Sequence, residues 1–178
     1  MGKNALYFPG NTGDVVKILD DGYFYIDSGS KYVSAVVWFK TDGFTTTQGL
    51  ISERSSLSDI QSGWSFKLDG DGLILWVNND KNKAKHCYTD SSRWHMATFT
   101  LDLEKSKFKI YVDNKLVKSD VLPGSISTKH TKLSQIGLRI GSNQPESNMF
   151  KGFIDEVELF KKVLTDNEIK AMYEVGQE

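Results

Sequence analysis

The chain has 178 residues and a formal net charge of −1, from 22 basic and 23 acidic side chains, a length that fits one all-β domain built on a single core. So balanced a charge supplies no field to gather a polyanion, which excludes nucleic acid as an expected partner. The single cysteine, Cys87, cannot close an intramolecular disulfide, and no apolar run approaches the roughly 18 residues needed to span a bilayer, so no membrane insertion is expected. The opening MGKNALYF has no signal-peptide apolar segment, and any export signal is expected to have been removed.

In chain order, the opening loop over residues 10–14 offers Gly10, Asn11 and Asp14, whose backbone and side-chain oxygens suit a hard cation such as calcium; the same residues also suit Asx-type turns. Residues 32–40 alternate with period two, placing Val33, Ala35, Val37 and Phe39 on one face and Ser34, Val36 and Trp38 on the other. Trp64, Phe66 and Leu68 form a strand that turns at Asp69-Gly70-Asp71-Gly72 and returns through Leu73, Leu75 and Val77, a hairpin that sends Trp76 outward with Ile74 and Asn78. His86 and Cys87 are strand neighbours pointing to opposite faces, so they do not pair as base and nucleophile.

Residues 96–103 and 108–112 pair across a polar turn, and Asp113-Asn114 turns the chain again into Leu116 and Val117. Strands over 138–141 and 153–160 flank the loop 142–148. Thr165 and Glu168 form a capping box, and Ile169, Met172 and Tyr173 line one face of a short C-terminal helix expected to pack on the sheets. Lysines 81, 83, 85, 105, 107 and 109 alternate with other residues as solvated strand or hairpin positions do. Recurrent period-two strands with turn signals about every ten residues describe an all-β, two-sheet antiparallel sandwich.

Trp38, Tyr111 and Arg139 fall outside their strands' core sets as Trp76 does, and Arg54, Tyr88 and Asn143 stand at strand ends or in loops. An outward aromatic suits stacking on the apolar C–H faces of a sugar ring, with polar neighbours reading its hydroxyls. These seven residues are the candidate ligand-binding set; the bland alternative for Trp38 is a place in the core.

The ordered segments ALYFPGNTGDVVKI, VVWFKTDG, GWSFKLDGDGLILWV, RWHMATFTLD, FKIYVDNKLV, LRIG and FKGFIDEVELFKKVLTDNEIKAMY resemble the laminin-G-like, concanavalin-A-like lectin and glucanase domains over almost the whole chain. The resemblance implies a jelly roll forming one domain over 1–178, and a secreted or cell-surface setting. It also implies a structural calcium held between the opening loop and Asp155, although Pro9 stands where many members carry Asp. Related glycoside hydrolases place carboxylates in an E-x-D-x-x-E pattern; Phe153 occupies the first position here, and Glu156 and Glu158 remain as an i, i+2 pair. A noncatalytic module binding a glycan or polysaccharide is therefore expected, with binding of an extracellular protein as the alternative; the oligomeric state is left open.

Overall fold

The computed structural model describes residues 4–11, 13–18, 31–43, 47–54, 63–70, 72–77, 80–84, 90–122, 138–140 and 148–177. Twelve strands run in chain order: β1 (Leu6–Pro9), β2 (Val16–Ile18), β3 (Tyr32–Thr41), β4 (Thr47–Arg54), β5 (Gly63–Asp69), β6 (Gly72–Val77), β7 (Asp80–Ala84), β8 (His95–Asp102), β9 (Lys107–Val112), β10 (Lys115–Val121), β11 (Leu138–Ile140) and β12 (Lys151–Phe160), followed by helix α1 (Asp166–Val175). They form two six-stranded antiparallel sheets, ordered β1-β12-β3-β8-β9-β10 and β2-β11-β4-β5-β6-β7. Chain-distant strands are neighbours in both, as the expected sandwich requires.

The core lies between the inner faces. Val33, Ala35, Val37 and Phe39 of β3, with Ala97, Phe99 and Leu101 of β8, meet Trp64, Phe66, Leu68, Leu73 and Leu75 of the second sheet. Phe99 bridges the sheets, its ring 5.0 Å from Trp64 and 5.2 Å from Phe66. Every one of these residues belongs to an alternating apolar set, so burial of that set fixes the register.

The part of the first sheet's outer face over β3, β8 and β9 is also buried, because α1 covers it. Thr165 caps the helix through the box with Glu168, and Ile169, Met172 and Tyr173 pack on Val36, Trp38, Met96 and Tyr111. This explains why β3 is apolar on both faces. Between β9 and β10, Asp113 and Asn114 adopt φ of 48° and 65°, the paired left-handed conformation of a two-residue hairpin. The Asp113 carboxylate then accepts from the Met96 amide at 2.9 Å and lies 2.8 Å from His95 Nδ1, tying the turn to β8.

Strands β1, β2, β4 and β7 extend the sheets beyond the expected set. β4 escapes period-two reading because a bulge between Gly49 and Ile51 buries Leu50 and Ile51 consecutively. β1 is an edge strand in which only Phe8 faces the core, and its Pro9 is tolerated because an edge has no second partner strand.

Candidate functional site

The two outer faces of the sandwich hold the candidate residues. On the first sheet, Trp38 is 1 % exposed and stacks against Tyr173 of α1, while Tyr111 is 2 % exposed and donates its hydroxyl hydrogen to Asp166 Oδ1 at 2.6 Å. Trp38 takes the place in the core that was its other reading, and Tyr111 is corrected as a ligand-binding candidate: the helix occupies the space a ligand would need. Burial, then the bond to Asp166, pushes the Tyr111 phenol up to about 12, and the same bond holds the Asp166 carboxyl below its ordinary value.

On the second sheet, Trp76 pairs with Ser65 across the β5–β6 ladder, and Ser65 pairs with Ser52 on β4. Facing residues in an antiparallel ladder share a face, so Trp76, Ser65 and Ser52 form one row. The row's register continues to position 139 on β11 and position 17 on β2 at one end, and to position 81 on β7 at the other. Basic residues therefore occupy the flanking register positions of a tryptophan and serine centre.

This face differs from a bare solvent face, since Ser52, Ser65, Lys67 and Ile74 each expose less than a tenth of their surface. Trp76 alone among the row's described side chains is partly open. The Lys67 ammonium lies 3.9 Å from the centre of the Trp76 ring, within cation–π range, and Lys67 is itself 3 % exposed. The open part of the indole is therefore the part Lys67 does not cover. Ser65 Oγ is fully buried and has no hydrogen-bond partner among the described residues, a costly arrangement. Nothing in period-two reading signals Ser52, Ser65 or Lys67; only the register gathers them around Trp76.

Of the remaining candidates, Arg54 ends β4 opposite Gly63, and Arg139 sits opposite Ser52. Tyr88 and Asn143 lie outside the described residues.

Of the four residues expected to hold calcium, Gly10 and Asp155 are set apart by the strand register. Asp14 Oδ2 accepts from the Asn11 amide at 2.7 Å and the Asp14 amide donates to the Asn11 carbonyl at 3.0 Å, a β-turn bond reinforced by the carboxylate. Gly10, with φ of 86°, sits against Lys151, whereas Asp155 lies four residues further along β12, about 13 Å away at strand rise. Asp155 Oδ1 accepts from the next amide, Glu156, at 3.0 Å. Each carboxylate is thus engaged by a nearby backbone amide. The Glu156/Glu158 pair is also altered, because a bulge between Asp155 and Glu158 puts Glu156 at φ 43° and breaks the expected alternation. Partial burial and the Glu156 charge raise the Glu158 carboxyl above its ordinary value.

The fold is similar to that of the carbohydrate-binding CBM40 domain of the Ruminococcus gnavus IT-sialidase bound to α2,3-sialyllactose, at a TM-score of 0.74 and 15 % identity over 96 % of this chain and 97 % of that one. It is also similar to part of the leech intramolecular trans-sialidase, at 0.72 and 12 % identity over 95 % of this chain and 27 % of that one. A third likeness is to the binding domain of botulinum neurotoxin DC in complex with rat synaptotagmin II, at 0.66 and 15 % identity over 97 % and 45 % of the two chains. At such identities the likeness is one of fold. No curated protein sequence matches significantly. Residues 10–170 match the laminin-G-type branch of the concanavalin A-like lectin/glucanases superfamily, and the chain belongs to that family.

Proposed function

We propose that the chain is a noncatalytic carbohydrate-binding module of a secreted or cell-surface protein, engaging a glycan or polysaccharide on the outer face of its second sheet around Trp76. The observation that carries the proposal is the row Trp76–Ser65–Ser52, in which a partly open indole adjoins a buried hydroxyl with no partner among the described residues. An aromatic face takes the apolar side of a pyranose, and the serine hydroxyl supplies the directional contact that a sugar hydroxyl returns. The Ruminococcus gnavus domain of similar fold is described as bound to sialyllactose, which makes sialylated glycans the first class to try. Noncatalytic action is supported by Phe153, which leaves the first carboxylate position of the glycosidase pattern without an acid.

The test is an array of immobilised glycans together with soluble polysaccharides, probed with the folded chain. Reproducible binding to a defined saccharide set is the expected result. Silence across a broad array by protein of native circular dichroism would overturn the proposal and favour a protein ligand.

A further inference from the structure

A second cluster lies on the outer face of the first sheet, beside α1, where Trp94 packs against the edge of the helix-covered core. Tyr7 on β1 pairs with Phe153 on β12, and Phe153 pairs with Lys40 on β3. Phe39 pairs with His95, so Trp94, just before β8, stands at the next position of the same row. The Tyr7 and Phe153 rings are 4.9 Å apart and the Phe153 and Trp94 rings 6.4 Å apart. Strands two apart in a sheet are separated by about 9.6 Å, so Phe153 and Trp94 lean toward each other over β3. Tyr7 is 51 % exposed, while Phe153, Lys40 and Trp94 are half-buried.

Three rings grouped across four strands, with neighbouring planes tilted by 48° and 57°, are more than a stray exposed aromatic. Lys40 puts a positive charge in the middle of the cluster, and the Asp42 carboxylate a negative one at its Tyr7 end. Among the described residues the Lys40 ammonium makes no hydrogen bond, ion pair or ring contact, although its stem is half-buried within an aromatic row. At the rim, Asp42 accepts from the Tyr7 hydroxyl at 3.2 Å and Arg93 pairs with Asp113 at 3.3 Å, so the platform's edge is polar and ordered.

We infer that this platform is a second saccharide site, facing away from the Trp76 row, and that it takes acidic oligosaccharides: pyranose rings stack on Tyr7, Phe153 and Trp94 while a sugar carboxylate meets the Lys40 ammonium. Charge complementarity selects the occupant, because a neutral glycan would leave the half-buried cation without a counter-charge. The site does not depend on the proposal for Trp76.

The test uses the full chain carrying Trp76→Ala, which removes the other face, titrated calorimetrically with α2,3-sialyllactose and trigalacturonate and with their methyl esters. The acids are expected to bind, and the esters at least about fivefold more weakly. Tyr7→Ala lowers affinity for acid and ester alike, whereas Lys40→Gln lowers affinity for the acid and abolishes the difference between acid and ester. That loss of discrimination is something a merely structural lysine would not produce. Circular dichroism and sedimentation accompany each variant. Absence of binding by both acids, or affinities unchanged by Tyr7→Ala and Lys40→Gln in folded protein, overturns the inference. So does a dimer that Tyr7→Ala dissociates, which would assign the platform to a second copy of the chain.

Discussion

The rings of Trp38 and Tyr173 lie 5.6 Å apart with their planes 6° from parallel, and this stack is the main aromatic contact between the C-terminal helix and the first sheet. It turns a strand face that would otherwise meet solvent into a second, smaller core. Tyr173→Ala should cost about 1–3 kcal/mol in denaturant unfolding, from lost apolar burial and lost ring contact, while Tyr173→Phe should cost little. A change below about 0.5 kcal/mol for the alanine variant would mean that the helix docks without this stack.

Tyr111 makes helix docking sensitive to alkaline pH. Its phenol, ordinarily near 10, is pushed up to about 12 by burial and by its bond to Asp166. The folded state therefore holds this proton more tightly than the unfolded chain, so the stabilisation is fully present below pH 10 and is lost as pH rises through about 12. Near-ultraviolet tyrosinate absorbance should show phenols ionising late, Tyr7, Tyr32 and Tyr173 also being raised, and Tyr111→Phe should reduce the component that accompanies alkaline unfolding. An unchanged titration curve in Tyr111→Phe would contradict the assignment.

Gly152 is required by both its conformation and its surroundings. Its φ is 134°, and a Cβ there would lie 2.2 Å from the Lys40 carbonyl oxygen and 2.8 Å from Thr41 Cα. Backbone cannot yield as a flexible side chain can, so Gly152→Ala should cost about 3 kcal/mol or more, or leave the chain unfolded. Gly13, at φ 95° with open space around its Cα, should tolerate alanine at a cost near 1 kcal/mol, roughly the conformational penalty alone. Equal costs at the two sites, measured by thermal unfolding, would show that the close approach to β3 is not rigid.

Calcium should act on neither Asp14 nor Asp155 as a shared centre. The first carboxylate closes its own turn and the second caps a bulge about 13 Å along β12 from the opening loop. Asp14→Ala and Asp155→Ala should each lower the melting temperature by the same amount in calcium as in chelator. A loss seen only with calcium present would restore the cradle.

The sandwich was legible because its inner faces follow strict alternation, as in Val33, Ala35, Val37 and Phe39 or Leu73, Leu75 and Val77, and because Thr165 and Glu168 announce the helix. Tyr111 was misplaced, and Trp38 stood between a site and the core, for a physical reason: alternation separates the two faces of a strand but does not say which outer face another element covers. The bulges at Gly49/Ile51 and Asp155/Glu158 carry no composition signal, so β4 and the Glu156/Glu158 geometry needed coordinates. Cross-strand rows are the least legible feature. Ser52, Ser65 and Trp76, or Tyr7, Phe153 and Trp94, are dispersed in sequence and meet only through register.

The most direct test of the central claim is the affinity of Trp76→Ala and Ser65→Ala for the strongest glycan on the array, measured calorimetrically beside the unaltered chain. Sugar binding around the Trp76 row predicts a loss of at least about tenfold for Trp76→Ala and a smaller loss for Ser65→Ala, with melting temperatures close to that of the parent. Unchanged affinity in both folded variants would contradict the claim and move the site elsewhere on the sandwich.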